Sequence, residues 1–321
     1  MRILIWHVHG SWTTSFVQGR HTYLLPVLPD RGPRGRGRAR TWDWPESAVE
    51  MPVEGLREEP VDLVVLQNPF ELELAAEWLG RRPGVDVPAV YVEHNTPKGD
   101  VPNTVHPVAG RDDVLLVHVT HFNRLMWDAG RAPTTVVEHG VVDPGERYTG
   151  ELARIGVALN EPIRRWRVTG TDLLPTFAAV APLDVFGMRL DGLATRLGLS
   201  PDRLVTHEDV PQDAMHTALA RRRVYVHPLR WTSLGLSLLE AMHLGMPVVA
   251  LASTEAVEAV PAGAGVLSTD PDALARATRD LIDEPELARQ LGKKAREAAL
   301  ERYGLRRFLG DWDRIVEEVT R

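Results

Sequence analysis

The sequence predicts an α/β protein of two domains, each built on a parallel sheet. Short apolar runs such as VDLVVL at 61–66, AVYVE at 89–93 and VLLVHV at 114–119 alternate along the whole chain with stretches of helical periodicity. At 321 residues the chain is long enough for two buried cores. Its composition, 44% hydrophobic and 25% charged, is that of a globular protein rather than a disordered or membrane one.

The first half opens on RILIWHV, read as a strand. HGSWTTSF then turns into a short helix with Ser11 or Thr13 as its cap. If the strand continues, His7 and His9, two apart, share a face. Residues 23–28 form the next strand. RGPRGRGRAR at 31–40 follows, with Trp42 and Trp44 just beyond, and reads as a mobile, solvated loop; its arginines also suit an anionic acceptor or an anionic phospholipid surface. After the 61–66 strand, ELELAAEWLG is a helix stopped by Gly80. AVYVE then delivers His94-Asn95-Thr96-Pro97 to a carboxyl strand end, where open α/β sheets hold ligands. VLLVHV leads to a helix over 120–127. PGERYTG at 144–150 has linker composition, so the expected domains are 1–148 and 149–321.

The second half begins with the strand IGVALN and the loop NEPIRRWRVTG, after which Thr171 or Asp172 caps a helix running to Val180. LDVFG, GLATRLGL, RLVTH and PQDAMHTALARR continue the alternation. The stretch VYVHPLRWTSLGLSLLEAMHLGMPVVAL at 224–251 then reads as strand, loop, helix, turn and strand, with Thr232 or Ser233 capping the helix, Gly245 stopping it and Pro247 opening the last strand. Such a helix aims unpaired backbone amides at the carboxyl edge of the sheet, which suits phosphate. Glu240 is the one carboxylate in this apolar helix. Eight residues past Thr232, it lies about 12 Å along the axis, roughly the reach from a sugar diphosphate to a ribose. Glu255 and Glu258 follow in a loop or short helix, and 285–301 and 305–320 are helical. Phe308, Trp312 and Ile315 give the last helix an apolar face.

Glu240-Ala241-Met242 and Gly245-Met246-Pro247-Val248-Val249 resemble the donor-site signature of the retaining GT-B glycosyltransferases of family 4, which is a Glu, seven residues and a second Glu, then Ala-Met, small-Gly and Pro-Val-Val. Thr232 stands where that pattern has its first Glu. The resemblance implies two Rossmann-like parallel-sheet domains facing a cleft, with the last helix crossing back to the first domain. It further implies metal-independent transfer of a sugar, with retention, from a nucleotide-diphosphate sugar of UDP or GDP type to an unknown acceptor, and no further cofactor. The donor-binding candidates are Gly10, Arg164, Arg165, Thr169, Thr232, Ser233, Leu234, Gly235, Leu236 and Glu240. Arg164 lies six residues before Gly170, where the family has its diphosphate Arg. Thr169 occupies the place of the family's Lys, which Arg165 or Arg167 can supply. His94 resembles the His of the His-Asn pair beside the transferred sugar in starch and glycogen synthases, so His94 and Arg164 are the catalytic candidates. His9, Ser11, Trp12 and His121 are the acceptor-side candidates. VVEHGVVDP at 136–144 resembles the family segment that precedes the domain linker.

Two other readings stay open. One is a protein of this fold that binds a nucleotide sugar without transferring it, because Thr232 and Thr169 replace charged residues. The other is a His-dependent metallohydrolase built on His7, His9, His118 and His121. No GxGxxG follows the first strand and no GxxxxGK[ST] occurs, which disfavours dinucleotide and P-loop enzymes. A net charge of −7 disfavours a nucleic-acid partner. The absence of cysteine excludes disulfides and thiolate chemistry and fits the cytoplasm. No leader or membrane span is expected, which leaves a cytoplasmic protein, with the inner membrane face reachable through residues 31–40.

Overall fold

The computed structural model describes all 321 residues, which divide into two compact units: Met1–Val142 together with Leu305–Arg321, and Asp143–Gly304. The linker-like stretch 144–150 thus belongs to the second unit, and the last helix to the first.

In the first unit the elements are β1 (Arg2–Ile5), α1 (Gly10–Phe16), β2 (Thr22–Val27), β3 (Ala48–Pro52), β4 (Leu63–Leu66), α2 (Phe70–Leu79), β5 (Ala89–Glu93), β6 (Leu115–His118), α3 (His121–Met126) and β7 (Thr134–Val136). The strands pair in the order β3-β2-β1-β4-β5-β6-β7, parallel throughout. Parallel strands joined by helical crossovers are covered on both faces, which is why β4 and β5 read as unbroken apolar runs. Gly80 ends α2 in the left-handed conformation at φ 64°, as expected of a glycine stop.

The second unit contains β8 (Leu152–Ala158), α4 (Pro162–Arg165), α5 (Leu174–Ala178), β9 (Leu183–Gly187), α6 (Leu193–Leu197), β10 (Leu204–Glu208), α7 (Gln212–Leu219), β11 (Arg222–His227), α8 (Leu236–His243), β12 (Val248–Leu251), α9 (Ala256–Ala259), β13 (Val266–Ser268), α10 (Pro271–Asp283) and α11 (Pro285–Tyr303). Its sheet runs β10-β9-β8-β11-β12-β13, again parallel. Both sheets reverse strand order once, between β1 and β4 and between β8 and β11. Such switch points are where doubly wound sheets open a crevice at their carboxyl ends.

The last helix, α12 (Leu305–Val319), buries Phe308, Trp312, Ile315 and Val316 in the first unit. Trp312 meets Trp12 and Phe16 edge-on at 5.7 and 5.0 Å, a preferred aromatic geometry. Each fully buried side chain of this size is worth about 1.5–3 kcal/mol, and together they give α12 its place on α1. No helix is long and apolar enough to cross a membrane.

Three local expectations are corrected. β1 ends at Ile5, so the strand does not carry His7 and His9 onto one face: His7 meets Trp44 at 4.9 Å, and His9 meets His94 at 4.1 Å. Side-chain caps are absent from α1 and α8, whose N-cap residues are His9 and Gly235. Beyond Gly170 a 3₁₀ turn precedes α5, so neither Thr171 nor Asp172 caps a continuous helix. Thr120, by contrast, caps α3 by accepting from the Asn123 amide at 3.0 Å.

The 31–40 segment is not a free loop. Arg31 forks Glu50 with bonds of 2.7 and 2.8 Å, while Arg38 donates to the carbonyls of Trp44, Pro45 and Ala48. The Trp44 indole donates to Thr14 at 2.8 Å, and the Trp6 indole to the Arg34 carbonyl at 2.9 Å. Internal carbonyls and one carboxylate thus take up two of the five arginines, which sequence alone cannot register.

Candidate functional site

The switch point of the second unit is built from two loops, 159–173 after β8 and 228–235 after β11. They are stitched together. The Val168 carbonyl accepts from the amides of Arg230 and Trp231 at 2.9 and 3.2 Å, and the Arg230 guanidinium takes Asp172 at 2.5 and 2.9 Å. Gly170 sits at φ 70° with the Pro228 carbonyl 1.9 Å from where a Cβ would stand, so only glycine permits this approach.

Four arginines gather there, with unequal partners. Arg167 bonds Asp172 at 3.1 Å and Arg230 shares that carboxylate. Arg164, 68% exposed along its side chain, pairs with Glu161, which also holds Arg189 at 3.0 Å. Arg165 is half-buried, and burial, then the neighbouring Arg164, lowers its pKa. It forms no ion pair with the acids around it. Thr169 is buried with its hydroxyl 3.0 Å from the Trp166 carbonyl and 2.8 Å from Thr171 Oγ1, so that hydroxyl is committed within its own loop.

α8 rises from the second loop. Gly235 carries no side chain because a Cβ would meet His227 Cε1 at 2.5 Å, and no side chain caps the first turn. Ser233 and Leu234 are buried; Thr232 and Leu236 are partly exposed. Glu240, a little over one turn into the helix, is 5% exposed. Gln212 donates to its Oε1 at 3.1 Å, and His216 Nε2 lies 3.4 Å from its Oε2.

In the first unit the carboxyl edge gathers His9, His94 and Trp12. The two imidazoles are 4.1 Å apart, and Trp12 meets His94 edge-on at 4.9 Å. Burial, then Lys98, lowers the His9 pKa to about 4; burial, then His9 and Arg307, lowers His139 to about 3. Burial, then His9 and His139, holds His94 well below the usual histidine range, so these rings are neutral at pH 7. His94 Nε2 is buried without a hydrogen-bond partner. The loop that carries it is clamped: Glu93 accepts from the Asn95 amide at 2.6 Å and from His106 at 3.0 Å, and the Trp127 indole donates to the Asn95 carbonyl at 2.8 Å.

The remaining candidates lie around this cluster or away from it. Ser11 is on α1 beside Trp12. A Cβ at Gly10 would meet the Trp42 indole at 2.4 Å, so a side chain there would have to displace that ring. His121 is exposed at the start of α3 and shares no ring contact with His9 or His94. His118 faces His106 instead, 6.5 Å away. No three His, Asp or Glu side chains converge in a way that could hold a metal ion, so the ligand set required by a metallohydrolase is not assembled.

Sequence reading missed Arg230, Gln212, His216 and the Glu93–His106 pair. Gln212 and His216 stand four apart on a short helix, but like the others they meet their partners only through contacts between distant segments.

Residues 185–298 match the sequence model of the family described as glycosyl transferases group 1. D-inositol 3-phosphate glycosyltransferase of Streptomyces griseus is 37% identical over 109 residues, which cover 33% of this chain and 23% of that protein. The chain thus spans about a quarter of that curated relative. Among solved structures, sucrose-phosphate synthase from Thermosynechococcus elongatus superposes with a TM-score of 0.71 at 15% identity, covering 99% of this chain and 98% of that one. HepE from Anabaena in complex with UDP-glucose gives 0.68 at 16% identity, covering 99% and 100%. Staphylococcus aureus TarM, in complex with UDP among other ligands, gives 0.63 at 14% identity, covering 79% and 55%. The chain has the GT-B fold, two Rossmann-like α/β units each on a parallel sheet.

Proposed function

We propose that this chain is a retaining, metal-independent glycosyltransferase of the family 4 type that moves a sugar from a nucleotide-diphosphate sugar to a hydroxyl acceptor. One observation carries the reading. At the switch point of the second unit the loop after β8 carries the half-buried Arg165, the loop after β11 leads into α8, whose N-cap Gly235 makes no side-chain cap, and the buried Glu240 carboxylate lies further along that helix. Guanidinium and helix amides suit a diphosphate, and a carboxylate suits the two hydroxyls of a ribose. The match of residues 185–298 to the glycosyl transferases group 1 supports this, and the UDP-bound neighbours make UDP the first nucleotide to try, with GDP next.

In the reaction the acceptor oxygen bonds to the anomeric carbon, the bond from that carbon to the diphosphate breaks, and the acceptor's proton leaves with the diphosphate or to water. Arg165, with Arg164 and the α8 amides, stabilises the charge that develops on the leaving group, commonly the largest catalytic contribution. His94, neutral and with a free ring nitrogen, is the group we assign to the reacting sugar. His9, Ser11 and Trp12 are assigned to the acceptor. If residues 31–40 also meet an anionic acceptor or a membrane face, the exposed Arg34, Arg36 and Arg40 do so, because Arg31 and Arg38 are engaged internally. A cytoplasmic location fits such a donor.

The direct test is Glu240→Ala. Loss of one or two charged hydrogen bonds weakens nucleotide binding by about tenfold or more, read by calorimetry across UDP, GDP and ADP. Unchanged affinity in a folded variant removes the nucleotide site from α8.

A second reading, binding without transfer, is favoured by Thr169, whose hydroxyl is already committed, and by the neutral Thr232. Turnover with any donor decides between them. If transfer occurs, donor choice rests on the 233–235 backbone, and Thr232→Glu reorders a panel of donor sugars. An unchanged ranking would show that position 232 does not face the sugar.

A further inference from the structure

We infer that Glu93, anchored by His106, is a positioning residue that fixes the backbone of His94 so that its ring meets the reacting sugar. This rests on His94 facing that sugar, as proposed above.

Glu93 ends β5, and the chain then leaves the sheet over residues 94–114 before β6 begins. His94 and Asn95 open that excursion, and His106, thirteen residues after Glu93, brings the chain back to the strand end. Oε1 of Glu93 accepts from the Asn95 amide at 2.6 Å and Oε2 from His106 Nε2 at 3.0 Å. His106 Nδ1 in turn accepts from the Val108 amide at 3.2 Å. A ring that accepts at Nδ1 carries its proton on Nε2, which makes His106 the donor to the carboxylate. The same ring meets Tyr91 and Trp127, each edge-on at 5.0 Å. Glu93 and His106 are both buried, so their bond is made away from water.

These bonds act on the two peptides that flank His94. The Asn95 amide belongs to the peptide after it, and its bond to Glu93 fixes ψ of His94. The Glu93 carbonyl belongs to the peptide before it, and the Asn123 side chain donates to that carbonyl at 3.2 Å. The ring itself lies against His9 and Trp12, at 4.1 and 4.9 Å. Without the His106 donor, the Glu93 carboxylate is a buried charge short of a partner and its hold on the Asn95 amide loosens. A displacement of about 1 Å at a reacting centre costs about a hundredfold in rate, so small movements of this loop are read as turnover.

Two substitutions separate the two bonds of the His106 ring. The δ atoms of asparagine reach as far as Nδ1, so His106→Asn keeps an acceptor for the Val108 amide and loses Glu93. The ε atoms of glutamine reach as far as Nε2, so His106→Gln keeps the donor to Glu93 and loses Val108. Transfer or donor hydrolysis is measured beside calorimetry. His106→Asn lowers kcat by about tenfold or more with nucleoside diphosphate affinity within about twofold, while His106→Gln stays within about threefold of the parent. In a His94→Ala background His106→Asn changes kcat by less than about twofold, because the residue it acts through is gone. Unchanged kcat in His106→Asn, the same loss in both backgrounds, or as large a loss in His106→Gln overturns the positioning role. Should His106→Asn fail to fold, Trp127→Phe, at a partly exposed position, removes the indole bond to the Asn95 carbonyl and goes through the same cycle with the same outcomes. A parent without turnover, or His94→Ala with full turnover, overturns the role of His94 and this proposal with it. Loss in His94→Ala with full turnover in His106→Asn overturns only the positioning role.

Discussion

Replacing His94 by alanine lowers turnover by about a hundredfold or more while nucleoside diphosphate affinity stays within about twofold. The expectation follows from how the side chain is held. Its ring lies against His9 and Trp12, burial keeps it uncharged, and Nε2 has no hydrogen-bond partner. A neutral imidazole with a free nitrogen offers a lone pair or an N–H to a sugar at modest desolvation cost, which a protonated ring would not. The surrounding clamp of Glu93, His106 and Trp127 holds backbone atoms rather than the ring, so alanine leaves the loop in place. Transfer, or slow hydrolysis of the donor, is measured beside calorimetry on the same variant. Full turnover with normal binding takes His94 out of the chemistry; no turnover in the parent with any donor favours the binding-only reading.

Arg165→Ala weakens nucleoside diphosphate binding by about tenfold or more and leaves the affinity for the matching nucleoside unchanged. Arg164→Ala has the smaller effect, about threefold or less, because an exposed guanidinium already paired with a carboxylate contributes little. Spacing from Gly170 alone points to Arg164. The partners point to Arg165, since it is half-buried, has no carboxylate bonded to it, and is disfavoured in its charged form until an anion arrives. Calorimetry with UDP and uridine on both variants checks this ordering. A larger loss in Arg164→Ala reverses it, and equal losses for nucleotide and nucleoside mean that the substituted residue acts through loop structure.

The sequence by itself determined the fold class and the order of nearly every element. Apolar runs of strand length alternating with helical periodicity are local signals, and a parallel sheet buried on both faces writes them directly into the chain. Gly80 and Gly245 gave helix ends for the same reason, because a left-handed residue is needed wherever the neighbours sit. Tertiary structure alone decided which polar groups are spent and which are free. Arg31 and Arg38 look as solvated as Arg34 until Glu50 and the carbonyls of 44–48 come round to meet them, and Arg164 looks equivalent to Arg165 until one is paired and the other half-buried. Capping by Thr232 or Ser233 was a local expectation that lost to packing: Gly235 beside His227 moves the helix start past both residues. Glu240 was legible as a lone carboxylate in an apolar helix, whereas its company of Gln212 and His216 was not. Strands and turns are set by neighbours along the chain, but the state of a buried charge is set by groups that only folding brings within hydrogen-bond distance.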